Sequence, residues 1–331
     1  MDVLKLRPEG LYCPAGDFYV DPWRPVNTAV ITHAHADHAR SGMGHYHTQH
    51  DNLALIRLRL GELCGTGYAY GESFQLGGAK VSLHPAGHVL GAAQVRVEVE
   101  GQVWVVSGDY KRAPDPTCAP FVPVTCDVFI TEATFALPCY RWAPTAQLVD
   151  QVLAWWDDCV RARTPAVLLG YAFGKSQRLL AELALRVPER PAYIHGALST
   201  LVAHYRACGV SMLPTIAVAD QPRAREYAGE LVLAPPAAAG SPWLQRFRGA
   251  SLAFASGWMQ LRGNRRRQSY DRGFALSDHA DWPALVQSIR ETGARRVLAT
   301  HGNTEALTRY LNAQSGGMVA EALRTELGGE N

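Results

Sequence analysis

A chain of 331 residues with 47% hydrophobic and 19% charged side chains can bury a large core, in two lobes, which excludes a disordered or fibrous polypeptide. No apolar run approaches the roughly 18 residues of a membrane span, and Met1-Asp2-Val3 lacks the basic-then-apolar order of a secretory leader. The net charge of +2 neither demands nor opposes a polyanionic partner, and seven scattered cysteines without C-x-x-C spacing suit a reducing cytoplasm and argue against thiolate metal ligands.

Two short strand-like runs around Pro14-Ala15-Gly16-Asp17 predict a hairpin. The apolar, β-branched run Val26 to Thr32 reads as a buried strand, and it leads straight into H-A-H-A-D-H at 33–38. Imidazole nitrogen and carboxylate oxygen are the ligands that zinc, manganese or iron accept, and alternation points two of them the same way. His33 and His35 are therefore expected to hold one metal, and Asp37 with His38, turned onto the start of a following helix, a second. His45, His47 and His50 come soon after, but no apolar strand is visible to present them, so surface or outer roles are expected.

Apolar spacing predicts a helix over 53–63, then an antiparallel meander at 73–76, 79–84, 93–100 and 103–107, and a strand over 128–132 ending in an acid. From about 145 to 247 helices and strands alternate, which indicates parallel β-α units. The end returns to short strands that finish at Ser277-Asp278-His279 and Thr300-His301-Gly302, with closing helices expected at 304–313 and 317–326. Six histidines, at 33, 35, 38, 88, 279 and 301, thus sit at or just beyond the ends of apolar strands.

The H-x-H-x-D-H pattern after a strand resembles the signature of the metallo-β-lactamase fold. The resemblance implies an α/β, αββα sandwich and a centre of two divalent metal ions, zinc or manganese. It implies a first site of His33, His35, His88 and Asp109, and a second of Asp37, His38, the bridging Asp109 and His301. The insertion, with Thr131-Glu132-Ala133-Thr134 before it and Ser277-Asp278-His279 after it, is similar to the β-CASP branch of metallo-β-lactamase nucleases, nearest the bacterial ligase-associated DNA exonucleases of the Artemis-type group. That reading implies a metal-binding domain over 1–144 and 248–331 and an inserted parallel α/β domain over 145–247.

The implied activity is hydrolysis of DNA phosphodiesters, from a 5′ end and on single strands, in DNA repair, with a ligase or helicase as pathway partner and no membrane. Asp37, Glu132 and His279 are the expected catalytic residues, Glu132 orienting His279 as proton donor to the departing oxygen. Lys175 and Ser176, at a strand-to-helix turn, form a candidate phosphate pocket. Arg262, Arg265, Arg266, Arg267 and Arg272, flanked by Trp258 and Tyr270, form a candidate surface for a single strand. Three other readings stand beside this one: an RNA-processing β-CASP ribonuclease, a small-molecule ester or thioester hydrolase of the same fold, and a catalytically inactive nucleic-acid-binding scaffold. The hydrolase reading leaves Glu132 and His279 without a task.

Overall fold

The computed structural model describes residues 2–261, 270–314 and 317–323. Two compact units divide the chain, one formed by 1–114, 118–141 and 279–331, the other by 115–117 and 142–278.

The first unit begins with Lys5–Arg7 (β1), Gly10–Cys13 (β2) and Phe18–Val20 (β3), an antiparallel run that includes the expected hairpin, with Cys13 opposite Phe18. Thr28–Val30 (β4), His45–Gln49 (β5) and Gly65–Tyr68 (β6) continue the sheet in parallel, and His50–Leu60 (α1) lies against β5 and β6. No helix follows the histidine motif directly, contrary to expectation. The chain turns at Ser41-Gly42-Met43-Gly44 into β5, because pairing beside β4 satisfies a whole row of backbone groups that a short helix there would leave open. His45 and His47 therefore do lie on a strand.

Ser73–Leu76 (β7), Ala79–Pro85 (β8), Ala93–Val99 (β9) and Gln102–Val106 (β10) form the predicted antiparallel meander, and Val128–Ala133 (β11) then pairs parallel to β10.

The second unit holds Thr145–Ala162 (α2), Ala166–Leu169 (β12), Lys175–Ala184 (α3), Ala192–Ile194 (β13), Gly196–Ala207 (α4), Thr215–Ala217 (β14), Leu231–Ala234 (β15), Ser251–Ala255 (β16) and Arg272–Phe274 (β17). All six strands are parallel, in the order β14-β13-β15-β12-β16-β17. The sequence placed the return to the first unit at 248; the structure places it at 279, because β16 pairs with β12 and β17 with β16. Leu148, Val149, Val152, Trp155, Trp156 and Cys159 repeat at helical spacing along α2 and cover one sheet face together with α3 and α4. The other face is covered by irregular segments, through Val218, Tyr227, Ala238, Phe247 and Met259.

Trp282–Glu291 (α5), Arg296–Gly302 (β18), Thr304–Asn312 (α6) and Val319–Ala322 (β19) complete the first unit. The second closing helix expected over 317–326 is replaced, in its described part, by β19, which adds a parallel edge to β18. The second sheet of this unit thus runs β19-β18-β11-β10-β9-β8-β7. Val81, Leu83, Val95, Val97, Trp104, Val106, Val128 and Ile130, alternating along their strands, meet Leu11, Cys13, Phe18, Val20 and Val30 of the first sheet. No described helical residue enters this core; α1 contacts β5 and β6, α5 contacts β11, and α6 contacts β18 and β19, a mixed α/β arrangement. Burial of each large aliphatic chain here contributes about 1.5–3 kcal/mol.

Ions sit inside the second unit as well. Arg178, 2% exposed, donates to the Ser277 carbonyl at 2.7 Å and Thr145 Oγ1 at 3.1 Å, and lies 3.3 Å from Asp278 Oδ1 and 3.4 Å from Asp115 Oδ2. Removing one partner leaves buried charge uncompensated. Arg178→Met is expected to destabilise the protein by about 3–5 kcal/mol, read as a lowered urea midpoint, whereas an unchanged midpoint would show that water replaces the guanidinium freely.

Candidate metal centre

In the first unit β10, β11 and β18 run parallel, and β8 points the same way because two antiparallel pairings separate it from β10. Their carboxyl ends share one edge. The loops beyond β8 and β10 deliver His88 and Asp109 there, the last residues of β11 and β18 supply Glu132 and His301, and the Ala93 amide donates to the Thr32 carbonyl at 2.9 Å, bringing the end of β4 and its histidines to the same edge. Gly108 (φ 55°) is required at the turn before Asp109, because a Cβ would lie 2.7 Å from that of Thr32. His301 itself takes a left-handed backbone (φ 58°), a strained state that aims its ring at His38, with centroids 5.3 Å apart.

One ligand atom from each of His33, His35, His88 and Asp109 falls within 4.8 Å of the others, a group able to hold a metal. His33 Nε2 and His88 Nε2 lie 3.0 and 3.1 Å from His35 Nδ1, and 3.5 and 3.8 Å from Asp109 Oδ2. His38 Nε2 lies 3.5 Å from the same Asp109 oxygen and 3.8 Å from Asp37 Oδ2. Asp109 therefore stands between the two groups that the sequence assigned to separate ions. The donors fit borderline divalent ions in kind. The shielded Nε2 of His38 and both ring nitrogens of His301 have no hydrogen-bond partner among the described residues, an unfavourable state that a bound cation would relieve.

Burial pushes His33 well below the ordinary imidazole range, with the charge of His38 adding to it, so His33 is a neutral donor. Burial, then His38, also lowers His301, to about 4. His38 is the exception: burial opposes its protonation, but Asp109 and Asp21 outweigh burial and raise it. Burial likewise raises Asp109, yet His38 and His279 dominate and hold its carboxyl well below the usual range.

A second polar group adjoins the first. His279 Nδ1 lies 2.9 Å from Glu132 Oε2, both side chains being buried, and Glu132 Oε1 accepts from the Tyr110 amide at 2.8 Å. Burial pushes the Glu132 carboxyl up, while the charge and hydrogen bond of His279 pull it back. The His279 ring packs 4.9 Å from that of His88. Its backbone is fixed on one side by the Ala280 amide, which donates to the Tyr110 carbonyl at 2.7 Å, and beyond by Asp281, which caps α5 through the Ala284 amide. One atom each of Asp109, Glu132 and His279 also lies within 4.8 Å of the others.

No protein-family model matches the chain. It is 30% identical over 303 residues, 88% of its own length, to a probable DNA ligase of Opitutus terrae, and 30% identical over 139 residues to an endoribonuclease ysh1 of Emericella nidulans. A ribonuclease of Thermus thermophilus is 24% identical over 213 residues. These relatives support a β-CASP, metallo-β-lactamase-type nuclease family. The chain spans only 28%, 15% and 49% of their respective lengths. In fold, it is similar to a protein of unknown function from Enterococcus faecalis, with a TM-score of 0.60 at 12% identity, covering 91% of this chain and 80% of that one.

The expected phosphate pocket needs correction. Lys175 is 0% exposed and lies 3.1 Å from Asp278 Oδ2, while the Ser176 hydroxyl donates to the Tyr171 carbonyl at 2.8 Å. The turn is closed from within, by hydrogen bonds that an ordinary helix start makes. Arg262, Arg265, Arg266 and Arg267 lie outside the described residues. His45 binds Cys64 Sγ and Thr66, and His47 binds the Tyr68 hydroxyl at 2.8 Å, contacts with β6 and its approach.

Asp21 was missed. Its Oδ2 lies 2.7 Å from His38 Nδ1 and accepts from Thr32 Oγ1 at 2.6 Å, and its Oδ1 accepts from the Thr32 amide at 2.8 Å. This carboxylate fixes the ring so that Nε2 faces Asp109. The signal was present, an acid ending the strand Phe18-Tyr19-Val20 just before the motif strand, but only the parallel pairing of β3 and β4 brings the two ends together. Asp21→Asn is expected to weaken zinc or manganese binding about 10–100-fold in chelator competition with unchanged circular dichroism; equal affinity would limit Asp21 to closing the turn.

Proposed function

We propose that the protein is a metal-dependent phosphodiesterase that degrades DNA from an end, single strands and 5′ ends first, in DNA repair. The buried Glu132–His279 pair beside the His/Asp cluster carries this reading, because an ester of a sugar oxygen needs a proton at departure and a small activated ester does not. His33, His35, His88, Asp109, Asp37, His38 and His301 would hold two divalent ions, which when bound supply a nucleophile from water and neutralise phosphate charge. The chain's own residues do the rest. Glu132 accepts from Nδ1 of His279, fixes the tautomer, and favours positive charge on the ring, so that Nε2 delivers the proton to the leaving oxygen. The Tyr110 amide holds the other Glu132 oxygen and keeps the carboxylate from turning away.

DNA is favoured by the similarity along 88% of this chain to a relative named as a probable DNA ligase, which also supports action in a pathway with a ligase. A second reading, cleavage of RNA, is supported by the relatives named as endoribonucleases and ribonuclease. End-labelled single-stranded DNA and RNA, compared at equal concentration, separate the two readings.

His279→Ala is expected to keep its metal content and DNA binding while losing about 10²–10⁴-fold in rate on DNA. The loss should shrink on a nitrophenyl phosphodiester, whose phenolate departs without a proton. Equal losses on both substrates, with one ion missing by metal analysis, would make His279 a ligand instead. Linear single-stranded DNA should disappear while a closed circle of the same sequence survives; equal rates would overturn the exonuclease assignment.

A further inference from the structure

The described arginines of the second unit are unevenly placed. Arg163, Arg223, Arg225, Arg246 and Arg248 line one cleft of about 1120 Å³, with Glu226 the single carboxylate in its wall. The whole chain carries a net charge of only +2, so this concentration is local. The cleft is formed by the segments that run into β12, β15 and β16, at the amino ends of those strands. None of its residues belongs to the metal cluster.

Internal contacts account for two of the five. Arg225 lies over the rings of Tyr193 and Tyr227, at 4.8 and 5.6 Å, donates to the Tyr193 hydroxyl, and is 3.6 Å from Glu230. Arg246 donates to the carbonyls of Gln221 and Pro222 at 3.2 and 3.3 Å. They tie the walls together. Among the described residues, Arg163, Arg223, Arg246 and Arg248 meet no carboxylate within ion-pairing distance. Arg163 moreover takes the left-handed position (φ 53°) after α2, where glycine is ordinarily cheaper. Guanidinium groups gathered with few counter-charges repel one another, and four of the five here, without a paired carboxylate, suit an anion with several phosphate groups.

We infer that this cleft binds the phosphodiester backbone of a single nucleic-acid strand, as a holding site separate from the reacting centre. The choice of polymer rests on the nuclease reading; the anion site itself rests on the arginines. Backbone contacts carry no sequence information, so DNA and RNA should both bind.

Fluorescently labelled 20-nucleotide DNA and RNA, titrated with chelator present at several salt concentrations, test the inference. R223A/R248A is chosen because these residues are exposed and make no hydrogen bond or ion pair among the described residues. The slope of log Kd against log salt is expected to fall by about 0.7 for each arginine removed. R161A/R186A removes two exposed arginines that pair with Asp158 and Asp150 outside the cleft, and should leave the slope unchanged. An unchanged slope in the first variant, or equal falls in both, would overturn the site. Turnover of a nitrophenyl phosphodiester by the wild-type protein reads the nuclease assignment separately: no turnover with a lowered slope removes the enzyme and keeps the cleft.

Discussion

A carboxylate cannot sit inside a protein without compensation, and Asp109, 6% exposed, is surrounded by the rings of His33, His38, His88 and His279. Much of the first unit serves that arrangement. Two sheets bring strand ends to one edge, Gly108 lets the turn before Asp109 come against Thr32, and Asp21 holds His38 from behind. Divalent cations would complete the balance, since the imidazoles that end up neutral, such as His33, have lone pairs to offer. The same carboxylate touches both halves of the expected centre, so its loss would affect all ligands together.

The metal motif was legible because its chemistry is local. Three imidazoles and a carboxylate crowded into six residues at a strand end suit little besides cation binding, and the strand-end placement of His88, Glu132, His279 and His301 followed from apolar runs that really are strands or their immediate extensions. The hairpin, the meander and the parallel insertion were legible for the same reason, since each strand carries its own pattern. Three errors share the opposite cause. The strand at 45–49 has alternating polar residues at a near-edge position, the strand at 251–255 was not read and its segment was assigned to the first unit, and β19 is short and mostly exposed. Pairing with another strand decided all three, and the pattern within a strand does not report that.

Burial accounts for the remaining difference. Lys175 after a glycine looked like a phosphate ligand, but its amine is turned inward to Asp278, more than 100 residues away in sequence and invisible as a partner. Conversely, the arginines at 163, 223, 225, 246 and 248 never form a dense run, so a scan for basic stretches favours the 262–272 segment. Only the fold gathers the scattered ones.

The position of β18 sets an order on synthesis. It lies between β11 and β19, yet it is made more than 160 residues after β11, whose six residues are all buried. While the ribosome builds the intervening segment, β11 presents an apolar edge with a row of unmatched amides and carbonyls, the kind of edge on which nascent chains aggregate. The second unit is almost continuous in sequence and can close first, whereas the first unit must wait for β18 and β19. A truncated or stalled product would therefore contain a finished insertion attached to half a sandwich, a natural client for a chaperone that covers open sheet edges.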